Sequence, residues 1–141
     1  MSPPDVLVVE DDLALRDALE DTLSLAGYGV AAATEGSEAL EQMAEAAPRV
    51  VVSDIQMRPM DGMAFLREVK RLHPGVPVLL MTAYATIQQA VEAMQEGATD
   101  YLVKPFEAEV LVTKVAAYMP PEPVADDEVV AVDPASRELM T

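Results

Sequence analysis

The 141-residue sequence predicts an α/β fold built on a doubly wound, five-stranded parallel sheet. Two observations carry this. Short runs of Val, Leu and Ala alternate along the chain with stretches whose apolar residues recur at helical spacing. The runs also lack the polar alternation of a half-exposed strand, so both faces of each are covered, as in a parallel sheet between helical layers. Right-handed crossovers then leave few topologies.

The elements follow in order. Val6–Val9 is the first strand, and Leu15, Leu19, Leu23 and Ala26 mark a helix that Gly27 stops. Tyr28 to Ala33 is a weak second strand. Ala39, Leu40, Met43 and Ala47 mark the second helix, ended near Pro48. Val50–Val52 is the third strand. Phe65, Leu66, Val69 and Leu72 form the third helix, closed by His73-Pro74-Gly75. Val76 to Met81 is the fourth strand, and Ile87, Ala90, Val91 and Met94 lie on a helix stopped by Gly97. Tyr101–Val103 is the fifth strand. Val110, Leu111, Lys114 and Val115 belong to a last helix ending near Met119.

The chain therefore divides into a domain over residues 1–119 and a segment over 120–141. Pro120-Pro121-Glu122-Pro123 and Asp126-Asp127-Glu128 read as a stiff acidic linker. Val129–Val132 reads as a strand, and Asp133-Pro134 as a helix N-cap followed by proline at the first helical position. A helix over Ala135–Met140 has nothing left to pack against, so a second domain is expected to begin here; the other reading is a natural tail without fixed structure.

Composition excludes several classes. Nine basic against 25 acidic side chains give a net charge of −16, which argues against direct nucleic-acid binding by this segment. Cysteine is absent, which removes disulfides and thiolate metal sites and fits a reducing cytoplasm. No apolar run approaches a membrane span, and the N-terminus lacks the basic region of a signal peptide. There is no G-x-x-x-x-G-K phosphate loop.

Ligands of open parallel sheets bind beyond the carboxyl ends of the strands. Strand one ends in Glu10-Asp11-Asp12, strand three in Asp54, strand four in Thr82 and strand five in Lys104. Singly, each has an ordinary reading: Asp11 or Asp12 as a helix cap, Thr82 as a cap, Lys104 as a solvated lysine. Their convergence on one rim points to chemistry. Clustered carboxylates repel unless a cation intervenes, and hard oxygen ligands suit Mg²⁺, which commonly takes one or two carboxylates plus phosphate. The one histidine, His73, sits beside Pro74 and Gly75 in a turn and is read as surface structure. With Mg²⁺ bound, Asp54 keeps one oxygen as a nucleophile toward a phosphoryl group. The Lys104 ammonium would neutralise charge on that group and the Thr82 hydroxyl would donate to it.

The motifs VLVVEDD, VVSDIQM, LLMTAYA and DYLVKPF, in this order and spacing, resemble the receiver domain of bacterial two-component response regulators from about Val6 to Met119. The resemblance implies a flavodoxin-like sheet of strand order 2-1-3-4-5 and a phosphoacceptor regulatory domain rather than an enzyme acting on separate substrates. Such a domain takes phosphate from a sensor histidine kinase, using Mg²⁺. By position, Asp54 is the phosphoacceptor. Asp11 ligates Mg²⁺ directly, Glu10 through water, and Gln56 through its backbone carbonyl, while Asp12 caps a helix. Thr82 is the switch hydroxyl, Lys104 the phosphate-contacting lysine, the Lys104–Pro105 bond is cis, and Tyr101 is the aromatic whose rotamer follows the state. The resemblance also implies a homodimer through the face of the fourth and fifth helices.

TAYATIQQAVEAMQEGATDYLVKPFEAEVL is similar, more narrowly, to NtrC-type, sigma-54-dependent transcription activators, particularly flagellar-gene regulators. This implies an AAA+ ATPase and a helix-turn-helix domain beyond Thr141, acting on DNA and sigma-54 RNA polymerase. One departure stands out. The family usually reads M-P-x-M-D-G after the acceptor, whereas Met57-Arg58-Pro59-Met60-Asp61-Gly62 sets the proline one place late and adds a cation. Gln56 and Tyr84 occupy the two positions that tune phosphate lifetime. Both are uncharged and sizeable, so they are expected to hinder the hydrolytic water.

Two other function classes compete. One is a receiver fold serving as an interaction module without phosphorylation; such domains usually lose an acid, the threonine or the lysine, and all are present here. The other is an aspartate-nucleophile phosphatase, which usually carries a second aspartate two residues after the first, where this chain has Gln56.

Overall fold

The computed structural model describes residues 3–56, 60–83 and 87–121. Five strands and five helices alternate: β1 (Val6–Val9), α1 (Leu13–Leu25), β2 (Val30–Ala33), α2 (Gly36–Glu45), β3 (Val50–Asp54), α3 (Gly62–Leu72), β4 (Val78–Thr82), α4 (Ile87–Gln95), β5 (Asp100–Val103) and α5 (Ala108–Tyr118). All strand pairs are parallel and the order is β2-β1-β3-β4-β5.

Strand side chains alternate between two covered faces. Leu7, Val9, Val51, Val78 and Leu80 pack with Ala39, Met43, Phe65, Leu66, Val69 and Ala93, beneath α2, α3 and α4. Val6, Val8, Val50, Val52, Leu79, Met81 and Leu102 pack with Leu19, Leu23, Leu111 and Val115, beneath α1 and α5. Burial on both sides explains why the strands read as unbroken apolar runs.

Element ends differ from the sequence reading where the backbone has other obligations. β2 begins at Val30 rather than Tyr28, because the Tyr28 N–H returns to Leu23 O (3.1 Å) around Gly27 at φ +101°, closing the end of α1. α2 stops before Ala47: Ala46 is already extended, and Pro48 restricts the residue before it. β4 begins after Pro77, which lacks an N–H to give, although its carbonyl accepts from Val51 N (2.9 Å). The strand and helix expected over Val129–Met140 lie outside the described residues, as does all but the first two residues of the 120–141 segment.

Two contacts position the rim. Asp12 caps α1, its carboxylate accepting from Leu15 N at 3.1 Å, and Asp61 caps α3, accepting from Ala64 N at 2.8 Å. Gly62 opens α3 against the end of β3. A Cβ there would lie 2.4 Å from Ile55 Cα and 2.6 Å from the Asp54 carbonyl oxygen, so only glycine allows the Gly62 N–H to reach Ile55 O at 2.9 Å. We expect Gly62→Ala to lower the unfolding free energy by roughly 2 kcal/mol, as overpacking against backbone does. Urea denaturation checks this; an unchanged midpoint would show that the loop yields without cost.

At the opposite end of the sheet, Asp100 accepts from Lys114 Nζ (2.7 Å) and Tyr118 Oη (2.9 Å), tying β5 to α5. Burial works against the ionised Asp100, but the Lys114, Tyr101 N–H and Tyr118 hydrogen bonds outweigh it and hold its pKa below the ordinary value. A depressed carboxylate stabilises the fold above its unfolded pKa, and that stability is lost as pH falls through the folded value. The stability gap between wild type and Asp100→Asn should therefore be constant near neutral pH and shrink below about pH 4. A gap independent of pH down to acid unfolding would remove the charge from the account.

Candidate functional site

Parallel register brings the strand ends level. Val9 pairs with Ser53, Asp54 with Met81 and Thr82 with Val103, so the residues that end β3 and β4 and those just past β1 and β5 share one rim. Glu10 and Asp54 are 1% and 3% exposed, although both are acids. Asp11 lies outside them, exposed. Carboxylate oxygens of Glu10, Asp11 and Asp54 all fall within 4.8 Å of one another.

The Lys104 ammonium joins the two buried acids, at 3.0 Å from Glu10 Oε1 and 3.3 Å from Asp54 Oδ1. Glu10 Oε2 accepts from Asp12 N (3.1 Å), and its carbonyl accepts from Arg16 Nη1 (2.9 Å). The Gln56 N–H reaches Asp54 Oδ1 at 3.2 Å. Burial pushes the Glu10 carboxyl above its usual pKa and the Asp54 charge adds to this, against the Asp12 and Lys104 hydrogen bonds. For Lys104, burial disfavours the charge, but the Glu10 hydrogen bond and the Asp54 and Glu10 charges prevail and raise its pKa.

Thr82 ends β4 almost buried, its carbonyl accepting from Lys104 N at 2.7 Å and its hydroxyl donating to Gln89 Oε1 at 3.1 Å. Thr82 and Gln89 line a small apolar cavity with Ile55, Leu80, Ala90, Ala93 and Tyr101. The Lys104–Pro105 peptide bond is cis.

The structure thus gathers Glu10, Asp11, Asp54, Thr82 and Lys104 at one rim and sets Tyr101 on the cavity behind Thr82. Arg58 and Tyr84 lie outside the described residues. Two participants escaped the sequence reading. Arg16 clasps the Glu10 backbone from the first turn of α1, and Gln89 meets Thr82 from α4. An i, i+6 and an i, i+7 separation across a strand–helix turn have no sequence signature of their own.

A doubly wound sheet carrying this acidic rim, with a lysine and a hydroxyl beside it, defines the receiver class. The chain belongs to that family: the model described as "Response regulator receiver domain" matches residues 6–116. It is the receiver domain of a two-component response regulator, and domains of this kind interact with sensor kinases. The chain is similar to response regulator protein FleR of Pseudomonas aeruginosa, with 47% identity over 137 residues, 96% of this chain and 29% of that protein. It is similar to the DNA-binding transcriptional regulator NtrC of Escherichia coli, with 44% identity over 110 residues, 78% of this chain and 24% of that protein. The receiver domain of NtrX from Brucella abortus superposes with a TM-score of 0.78 at 35% identity, covering 82% of this chain and 98% of that one. The chain spans less than a third of the length of these curated relatives. Among the described residues, no helix is long and apolar enough to cross a membrane.

Three carboxylates against one ammonium suit a small divalent cation, with oxygen donors only. Adding a divalent cation should raise the unfolding free energy by about 1.4 kcal/mol at ten times Kd. Asp11→Asn, which removes the exposed charge of the cluster, should blunt the effect. Thermal melts in Mg²⁺ and in chelator check this; coincident midpoints for wild type would mean that Lys104 alone balances the acids.

Proposed function

We propose that Asp54 accepts a phosphoryl group from the phosphohistidine of a sensor kinase and that Mg²⁺ is the cation of the acidic rim. The observation that carries this is the setting of Asp54: a buried carboxylate whose Oδ1 takes both the Lys104 ammonium and the Gln56 N–H. Oδ2 is then the oxygen assigned to attack. Its bond to phosphorus forms as the P–N bond of the donor breaks. The imidazole leaves with the electron pair, and the product is an aspartyl phosphate.

Glu10, Asp11, Asp54 and the Gln56 carbonyl are the residues assigned to hold Mg²⁺, Glu10 through water. When bound, the ion neutralises charge on the phosphoryl oxygens. Lys104 shifts part of its attraction from Glu10 and Asp54 to those oxygens, and the Thr82 hydroxyl donates to one of them. Turning Thr82 toward Asp54 frees space at the cavity that Tyr101 borders, which gives the aromatic ring an inward rotamer and links the event to α4 and β5.

The proposal extends to the whole protein by likeness to its relatives. Exposed Val91 and Met94 on α4, Val103 on β5 and Val110 on α5 support a homodimer through this face. Similarity to NtrC supports transcriptional control in the cytoplasm, with DNA and sigma-54 RNA polymerase met by domains beyond Thr141. The narrower sequence resemblance over TAYATIQQAVEAMQEGATDYLVKPFEAEVL supports, within that class, the flagellar-gene regulators.

Acetyl phosphate with Mg²⁺ tests the acceptor; acetate leaves with the electron pair as the Asp54 Oδ2–P bond forms. Intact mass should show one phosphate adduct on wild type and none on Asp54→Asn. The adduct should then persist for minutes or longer without a partner, if the uncharged, sizeable residues at the two lifetime-tuning positions, Gln56 and Tyr84, hinder the hydrolytic water as the resemblance implies. An adduct unaffected by Asp54→Asn, or no adduct at all, would favour an interaction module that works without phosphorylation. Decay within seconds would remove the crowding effect alone.

A further inference from the structure

We propose that Gln89 is a latch on Thr82: its side-chain carbonyl competes with a phosphoryl group on Asp54 for the Thr82 hydroxyl proton, so that exchange of partners passes the state of Asp54 to α4. This rests on the reading of Asp54 as phosphoacceptor and adds to it a residue of α4 acting through Thr82.

The backbone of Thr82 has little freedom. It ends β4 in register with Val103 of β5, and its carbonyl is held by Lys104 N at 2.7 Å. What remains is rotation about χ1, where a β-branched side chain has few staggered choices. In this structure the hydroxyl donates to Gln89 Oε1 at 3.1 Å. Gln89 is the third residue of α4, half-buried, and both side chains border the apolar cavity with Ile55, Leu80, Ala90, Ala93 and Tyr101. Apolar lining offers water few partners there, so the bond is not readily exchanged for solvation.

A threonine hydroxyl carries one proton to donate. Gln89 offers a neutral amide oxygen; a phosphorylated Asp54 offers anionic ones. Hydrogen bonds to charged acceptors are roughly twice as strong as neutral ones, so the exchange runs toward Asp54 when phosphate is present and back to Gln89 when it is gone. The latch therefore holds α4 to the end of β4 in the unmodified protein and releases that bond on phosphorylation. Being an amide, Gln89 does this without titrating near neutral pH. Glutamate in its place would hold the hydroxyl more tightly, and leucine would fill the same space without accepting.

The test uses the 141-residue chain with acetyl phosphate and Mg²⁺, the adduct being followed by intact mass, together with amide hydrogen exchange of the unmodified protein. Gln89→Leu is expected to take up phosphate roughly 3- to 10-fold faster than wild type, the equivalent of one neutral hydrogen bond, and Gln89→Glu more slowly. Combining Gln89→Leu with Thr82→Val should add nothing to Thr82→Val alone, since the hydroxyl is the shared partner. Without phosphate, Gln89→Leu and Thr82→Val should raise exchange at the hydrogen-bonded amides of α4 by similar factors. Rates equal to wild type for Gln89→Leu would overturn the latch, and so would an equal acceleration in the Thr82→Val background, which is what a purely structural role gives. Unphosphorylated α4 protected equally in all variants would overturn it too. A wild-type protein that takes no adduct sinks the phosphoacceptor reading and the latch with it; adduct formation indifferent to Gln89 sinks the latch alone.

Discussion

One ammonium between two buried carboxylates organises this molecule. Lys104 reaches Glu10 from the end of β1 and Asp54 from the end of β3, although it follows β5 at the far side of the sheet. Two adjacent carboxylates in an almost dry site would otherwise protonate or pull the strand ends apart. The rest of the fold serves to keep these three groups in reach. Parallel pairing sets the strand ends level, and two helical layers keep water from the strands that hold them.

The same crowding explains the local exceptions to ordinary chain behaviour. Gly62 is needed because α3 begins in contact with the backbone that carries Asp54. Asp12 spends its carboxylate on the α1 cap and its N–H on Glu10, so one residue both starts the helix and steadies the acid. Arg16 then clasps the Glu10 carbonyl from the helix so capped. Each contact stabilises little alone, but together they leave Glu10 few ways to turn.

Thr82 stands where this charged rim meets an apolar interior. Its backbone belongs to the sheet and its carbonyl to Lys104, whereas its hydroxyl donates to Gln89 of α4 beside a cavity that Tyr101 also borders. A charge change at Asp54 therefore has a short route into packing. The cavity itself is small, so any change in the Thr82 side chain is felt by Gln89 on α4 and by Tyr101 on β5.

Sequence alone determined the α/β class, the order of its elements and the family of the rim residues. Those features depend on local periodicity and on which polar residue follows each apolar run, and both are readable along the chain. The first strand and the ends of α1 and α3 were legible for this reason, through Glu10, Gly27 and His73-Pro74. Tertiary structure decided the starts of β2 and β4, where Tyr28 is committed to capping α1 and Pro77 has no N–H to offer. It also decided which acid Lys104 meets at which distance, why residue 62 must lack a Cβ, and that Arg16 and Gln89 join the site. Such facts are distances between atoms that the chain brings together only by folding, and no spacing in the sequence encodes them.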